Sequence, residues 1–422
     1  MGPARLSRNF LLISMKKQNL LILGASGGVA NALLQKFLYH RRLFNGLILL
    51  DKRKIFLDNK YIDHKKLDYI FINKKIILPE EEKSYLKLLK KHKVDIVLDL
   101  TDMDSIPVIE STNKAKISYI NTAMNDEKSE VYDLVSEILS KKEKLSNAPH
   151  ILCTGMNPGV VNIWVKQGIE KFGVPKEIIH FEYDSSKIAE KWEPAVTWCL
   201  KEFLMETVID PSGIMLGRDK IKKLLPNGLK NKQPMRPILA PIMNLDKYPY
   251  GFTVLHEENI TLSNKYDIPS KFIYAINIKT MEKMMKIYRE NKTITEKDLS
   301  HGDNSEKILL GSDNIGVLLN YGNRKVYYFN TMPNEAVMGT NATYTQVITG
   351  VLSAVFTLIF DDVKKGINFP EDLYGTCFRN YVFDNLRAQE FIFKKRKGKL
   401  VLMSYNPQIR TNMTGNFKRI MF

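Results

Sequence analysis

Cysteine is scarce. Cys153, Cys199 and Cys377 are too few and too far apart for a disulfide framework, and none forms a CxxC pair. A reducing compartment is the expectation. The seven histidines are scattered without an HExxH or related spacing, so no metal site is expected. No run of roughly 18 consecutive apolar residues occurs, the length that a membrane-spanning helix requires. Phe10 to Ile13 is too short an apolar run for a secretory signal core. Leu6 also breaks the myristoylation pattern. The first 14 residues read as a dispensable arm, and a cytoplasmic protein with no membrane partner is expected.

Acidic residues are the other shortage: 46 against 63 basic ones, a net charge of +17. Such an excess suits nucleic acid or a lysine-rich solvated surface. The lysines are spread along the chain. The one dense cluster, Lys394 to Lys399, comes with no RNP, KH, zinc-finger or helix-turn-helix signature. No nucleic-acid partner is expected.

What is present is an ordinary globular composition, 44% hydrophobic over 422 residues, enough for two domains. Apolar runs at Asn19–Leu23, Leu47–Leu50, Asp95–Leu100 and Ser118–Asn121 alternate with helical spacing. That pattern predicts an α/β chain: a doubly wound, Rossmann-type parallel sheet over residues 15–154. Residues 155–340 predict a second α+β domain on an open mixed or antiparallel sheet with one wet face, including a hairpin turning at Gly322-Asn323. Leu224 to Pro241 reads as a loop. A long helix from Thr343 to Phe360 is expected to pack back on the first domain, completed by further helices within 341–385. Residues 386–422 read as a basic tail.

The turn Gly24-Ala25-Ser26-Gly27-Gly28-Val29 follows the first strand and opens the first helix. Glycines let the backbone approach a pyrophosphate, and the helix N-terminus supplies N–H donors. The second strand ends in Asp51, a carboxylate suited to ribose hydroxyls, which favours NAD. Lys52 and Arg53 follow and could receive a 2′-phosphate, so NADP stays open.

Further along stand Thr154-Gly-Met-Asn157-Pro-Gly-Val-Val161, Trp198 eight residues before Glu206, Gly251-Phe-Thr-Val-Leu-His256-Glu-Glu258, Asp313-Asn-Ile-Gly, Asn341-Ala-Thr-Tyr and Lys365-Gly-Ile-Asn-Phe-Pro-Glu-Asp372. In that order and spacing the chain resembles the bacterial homospermidine synthase family of the saccharopine dehydrogenase-like superfamily, from about Leu20 to Leu373. The Asn-Pro-Gly turn is shared across the superfamily. The resemblance implies a redox-neutral reaction. Bound NAD takes hydride from the carbon bearing an amine of putrescine, the imine loses ammonia to a second putrescine, and hydride returns to leave homospermidine. Spermidine is a further donor. It also implies cofactor contacts at Gly24, Ser26, Gly27, Gly28, Val29 and Asp51, with Asp99, Thr101 and Thr122 from later strand ends, and a homodimer.

The residue chemistry fits a dicationic diamine. Trp198 offers a cation–π face, and Glu206, if the segment is helical, lies about 12 Å further along the axis. His256 titrates near neutrality, at about 6.5 unperturbed. Glu258, two residues on in an expected strand, faces the same way, and the pair could shuttle the amine proton. Asn157 can place its side-chain amide near the nicotinamide or the reacting amine. Glu182 matches another acidic position of the family, whereas Asn125 stands where the family usually carries glutamate, with Asp126 and Glu127 next to it. Plainer roles stay open: core packing for Trp198, a satisfied histidine for His256, surface positions for Glu182, Glu206 and Glu258, a turn for Asn157. Asn341 reads chiefly as a helix cap.

Two other readings remain. A saccharopine- or carboxynorspermidine-type reductase would need arginines for its acidic substrate, yet residues 150–330 hold only Arg218, Arg236, Arg289 and Arg324, none within a matched motif. A non-enzymatic NAD-binding sensor or nucleic-acid-binding protein would not need His256 and Glu258.

Overall fold

The computed structural model describes residues 17–53, 60–302 and 307–411. The expected N-terminal arm and the end of the basic segment lie outside the described residues. In chain order the first part comprises β1 (Gln18–Leu23), α1 (Gly28–His40), β2 (Phe44–Asp51), β3 (Tyr69–Asn73), α2 (Glu82–Lys91), β4 (Ile96–Asp99), α3 (Ser105–Lys114), β5 (Ser118–Asn121), α4 (Val131–Ser140) and β6 (Pro149–Ile151). Then come α5 (Val160–Phe172), β7 (Glu177–Asp184), α6 (Leu200–Leu204), β8 (Ser212–Gly217), β9 (Lys220–Leu225), β10 (Lys232–Pro234), β11 (Tyr250–Val254), α7 (Glu257–Tyr266), β12 (Ser270–Ile276) and α8 (Ile278–Asn291). The chain continues through β13 (Ser312–Asn320), β14 (Arg324–Pro333), α9 (Ala342–Phe360), β15 (Gly366–Asn368), α10 (Cys377–Asn385), β16 (Gln389–Arg396) and β17 (Lys399–Asn406).

The first sheet is parallel throughout, in the order β15-β6-β5-β4-β1-β2-β3. Its central strands are covered on both faces, so Leu20–Leu23 and Val97–Leu98 are fully buried and read as continuous apolar runs. Strand order reverses between β1 and β4. The carboxyl ends of the strands at such a point open a crevice, the usual ligand position in this architecture. The seventh strand, β15, arrives from beyond the second domain. Helix α9 packs beside α1 and α10. It is long and apolar enough to cross a membrane, but 72% of its apolar window is buried within the protein. A helix enclosed on most sides is apolar nearly all round for that reason. Asn341 caps it, accepting from the Tyr344 N–H at 2.8 Å.

The second sheet is mixed and has ten strands, in the order β9-β8-β12-β7-β13-β14-β16-β17, with β10 and β11 attached through β12. The expected wet face is absent from its centre: β7 and β13 are buried along nearly their whole length. Helix α5 lies against β13 on one side, and Met235, Ile238 and Leu239 of the 234–241 segment pack into the sheet's other apolar face. The stretch Leu224 to Pro241, expected as a loop, thus contributes β10 and a short helix, Arg236–Leu239. The β13–β14 hairpin turns at Gly322, whose φ is +89°. The expected basic tail is also structured. Strands β16 and β17 extend the sheet, Phe393 is buried, and β17 forms an exposed edge.

Two local expectations fail. His256 and Glu258 do not share a strand: β11 stops at Val254, and Glu257 starts a helix. The Asn259 side chain accepts from the His256 N–H at 3.1 Å, and Glu257 and Glu258 occupy the first turn, where the helix dipole favours negative charge. Trp198 likewise precedes α6, and Glu206 lies on a π-helical turn, Met205–Ile209, so the straight-helix separation of the two does not apply.

Candidate functional site

The nucleotide crevice is built by three strand ends. Gly24 follows β1 with φ +75°, and a side chain there would meet Leu100 O at 2.7 Å, so glycine alone allows the turn beside the β4 loop. Gly27 leads into α1, whose first turn receives no side-chain cap. Its N–H groups therefore stay available to an anion, and Gly28 and Val29 begin the helix there. Gly28 lies under the Tyr344 ring of α9, where a Cβ would come within 2.2 Å. Asp51 accepts from the Ser26 N–H at 2.9 Å and the Arg53 N–H at 3.0 Å, and the Ser26 hydroxyl donates to Arg53 O. A carboxylate has acceptor sites to spare beyond these two. Lys52 and Arg53 are exposed. The uncapped helix start, the positive-φ glycine and Asp51 fit a dinucleotide.

Asp99 points inward. It accepts from the Thr101 N–H and hydroxyl and from the Tyr119 hydroxyl, and burial raises its pKa. It thereby holds Thr101 against Gly24. Thr122, after β5, accepts from the Gly155 N–H at 3.2 Å through its carbonyl. That bond ties the crevice to the Asn157 turn. Asn125 is engaged in locking two loops, donating to Thr101 O at 3.1 Å. Asp126 accepts from the Lys128 and Ser129 N–H groups, and Glu127 pairs with Lys201.

Beside this crevice lies a buried acidic cluster. His256 sits between two carboxylates, Nε2 3.1 Å from Glu206 Oε2 and Nδ1 3.6 Å from Glu258 Oε1. Burial works against the imidazolium, but the two carboxylates together outweigh it and hold the His256 pKa well above its ordinary value. The geometry is not that of aligned hydrogen bonds. Both ring nitrogens, both Glu258 oxygens and Glu206 Oε2 are buried without a hydrogen-bond partner among the described residues. Unsatisfied buried polar atoms are rare in native proteins and mark places where a ligand or water completes the set. Glu257, next in the helix, instead accepts from the Met124 N–H at 2.7 Å and anchors the helix start to the loop after β5.

Asn157 donates to Glu182 Oε2 at 2.7 Å. Glu182 is 5% exposed, and burial pushes its pKa up to about 8. Two acids that had no assigned role stand with it. Asp184 lies two residues on, on the same face of β7, and Asp313 is its cross-strand partner on β13. Asp184 accepts from Thr197; Asp313 accepts from Thr343 and Gln346. Burial raises the pKa of both. Acidic residues two apart beside Phe181 and Tyr183 were the available signal, because carboxylates are seldom fully buried without purpose. Trp198 is half-buried at the edge of this cluster. Its Nε1 donates to the Tyr274 hydroxyl at 3.0 Å, and Tyr274 stands in register beside Glu182. Phe203 meets the indole edge-on at 6.1 Å.

The sequence-expected residues therefore fall into two adjoining groups. Gly24, Ser26, Gly27, Gly28, Val29, Asp51, Thr101 and Thr122 surround the crevice, with Asp99 behind them. Asn157, Glu182, Glu206, His256 and Glu258 form the acidic cluster, with Trp198 at its margin. His256, Glu257 and Glu258 also lie close enough to hold a metal ion, although none was expected. Glu257 is committed to Met124, and the raised His256 pKa favours the imidazolium, whose ring nitrogens offer no lone pair for metal coordination.

Residues 20–152 match the family model described as the saccharopine dehydrogenase NADP binding domain. The first domain is an NAD(P)-binding domain. No curated protein sequence matches the chain. Among solved structures, the fold is similar to that of homospermidine synthase from Legionella pneumophila in complex with NAD, with 17% identity, a TM-score of 0.70, and coverage of 96% of this chain and 97% of that one. An amine dehydrogenase from Mycobacterium smegmatis aligns with a TM-score of 0.40 and 10% identity over 85% of this chain and 96% of that one.

Proposed function

We propose that the protein is an NAD-dependent homospermidine synthase that transfers an aminobutyl group from putrescine or spermidine to a second putrescine. The observation that carries this reading is a buried, acid-rich cluster within a chain of net charge +17. Among the described residues, no lysine or arginine is paired with Glu182, Asp184, Glu206, Glu258 or Asp313. Carboxylates buried without a permanent cation suit a ligand that brings its own positive charge. Trp198 adds an aromatic face for an ammonium, worth roughly 0.5–2 kcal/mol.

Gly24, Gly27, Gly28 and the α1 N-terminus would hold the pyrophosphate, and Asp51 the adenosine ribose. The nicotinamide would supply hydride removal from, and return to, the carbon bearing nitrogen. The protein's own work is to manage charge and protons. An ammonium entering the cluster competes with the imidazolium of His256 for Glu206 and Glu258. The imidazole loses that support, gives its proton to solvent water, and as the neutral ring can then accept the amine proton. Amine oxidation releases this one proton, and the final imine reduction takes it back, so the site stores it between the two. In the intervening step the second diamine's nitrogen attacks the imine carbon, a C–N bond forms, and the original C–N bond breaks, releasing ammonia from putrescine or diaminopropane from spermidine. Asn157 and Glu182 together offer a donor and an acceptor beside the reacting nitrogen.

The reductase reading loses support because Arg218, Arg236, Arg289 and Arg324 are engaged elsewhere, by Asn264, Tyr248, Met285 and Phe172 with Tyr321, respectively. A cytoplasmic homodimer is the proposed state, and the exposed edge of β17 leaves backbone free for strand pairing. Incubation with putrescine and catalytic NAD tests the function. Homospermidine formed without net NADH is the expected result; its absence with a folded, NAD-binding protein overturns the reading.

A further inference from the structure

The motif Lys365–Asp372 has so far been given no role beyond its strand. It contains β15 and then one turn of 3₁₀ helix, Pro370–Asp372. Asp372 closes that turn, accepting from the Phe369 N–H at 3.0 Å. Two side chains leave it in different directions.

Glu371 is 3% exposed and accepts from Asn162 Nδ2 at 2.8 Å. The other end of that amide, Asn162 Oδ1, accepts from the Gly159 N–H at 3.0 Å. Gly159 has φ +136°, and a Cβ there would lie 2.1 Å from Gly155 O, so the turn has almost no slack. Two residues earlier, Asn157 donates to Glu182. Glu371 therefore reaches the acidic cluster through Asn162 and the Gly159 turn. Asp372 instead pairs with Lys265 near the end of α7, the helix whose start carries His256 and Glu258.

We propose that this turn is a brace that sets the Asn157 turn and the His256–Glu258 helix relative to each other, with Glu371 as a positioning residue for the transfer reaction. The proposal rests on the functional reading above. A buried carboxyl is a costly way to fill space: burial and the neighbouring Asp372 push the Glu371 pKa up to about 7. An apolar side chain would pack there more cheaply but could not hold Asn162. Placement matters because a misplacement of about 1 Å at a reacting centre can cost about 10²-fold in rate.

The test uses Glu371→Ala, Asn162→Asp and the double variant Asn162→Asp/Glu371→Gln in the full chain. In the double variant the amide introduced at position 371 donates to the carboxylate introduced at position 162. The bond is restored in reverse, while that carboxylate still accepts from the Gly159 N–H. Expected results are kcat at least about tenfold lower in each single variant, NAD affinity within about twofold of wild type, and most of the loss recovered in the double variant. Wild-type kcat in Glu371→Ala, or no recovery in the double variant, overturns the brace. Should Glu371→Ala fail to fold, the comparison of Asn162→Asp with the double variant decides. Hydrogen exchange at Gly159–Trp164 separates this proposal from the functional one. Exchange faster in Asn162→Asp and slowed again in the double variant supports the brace even if wild type makes no homospermidine; unchanged exchange overturns it.

Discussion

The Nε2 atom of His256 lies 3.1 Å from Glu206 Oε2, so the carboxylate expected to grip a substrate ammonium already holds the imidazole. Replacing Glu206 with glutamine removes one of the two charges that raise the His256 pKa. A raised imidazole pKa stabilises the fold below the unfolded value of about 6.5, and that contribution fades as pH climbs through the folded value. Glu206→Gln is therefore expected to lower Tm more at pH 6 than at pH 10. Amine kcat/KM should fall by roughly 10²-fold. Thermal melts across pH, with steady-state assays, check both; an equal Tm loss at both pH values would contradict the coupling.

Trp198 is held by Tyr274 through a single hydrogen bond of 3.0 Å. Trp198→Phe keeps a weaker aromatic face and should retain more activity than Trp198→Ala. The alanine variant should lose about 2- to 30-fold in kcat/KM for putrescine, in line with roughly 0.5–2 kcal/mol for a cation on an indole, while NAD binding is kept. Wild-type turnover in the alanine variant would remove the indole from amine recognition.

Glu182 carries a pKa pushed up to about 8, so it is mostly neutral at pH 6.5 and charged at pH 9. Folding favours its protonated form, so it costs no stability below the unfolded value of about 4.3; the cost grows as pH rises from there and levels off above about 8. A diammonium favours the charged form. Putrescine affinity is expected to rise roughly tenfold between pH 6.5 and 8.5, and Glu182→Gln should flatten that rise. Calorimetric titration at the two pH values measures it.

Gly28 is pressed by the Tyr344 ring, which a Cβ would overlap at 2.2 Å. Gly28→Ala should therefore displace α9 from the start of α1 and weaken NAD binding by about tenfold or more. Combining it with Tyr344→Ala should restore binding in part. Fluorescence titration with NADH is the measurement, and undiminished affinity in Gly28→Ala would show that the ring yields.

The first domain was readable because a parallel sheet covered on both faces needs apolar runs, and Leu20–Leu23 is one. The glycine turn was readable because its backbone geometry admits few alternatives. The His256 segment was misread because Phe252–Leu255 and Ile260–Leu262 are strand-type residues, so the polar stretch between them read as an interruption within one strand. Its helix depends on Asn259 reaching back and on two acids in the first turn, a signal present in the sequence but weaker than those flanking runs. The wet face of the second sheet was misjudged because residues 234–241, rich in proline, fold over it. Asp184 and Asp313 meet only through strand register, which their separation of more than a hundred residues conceals. Residues past 385 resisted reading because an edge strand such as β17 keeps its charged and apolar residues alike in water.

Strand β15 completes the parallel sheet with residues 366–368, more than two hundred positions after its neighbour β6. During synthesis the N-terminal domain must therefore wait, one edge of β6 bare, until most of the polypeptide has left the ribosome. Cutting the chain after the second domain would not release an independent dinucleotide-binding module. It would leave a six-stranded fragment with an adhesive border and no α9 to cover α1.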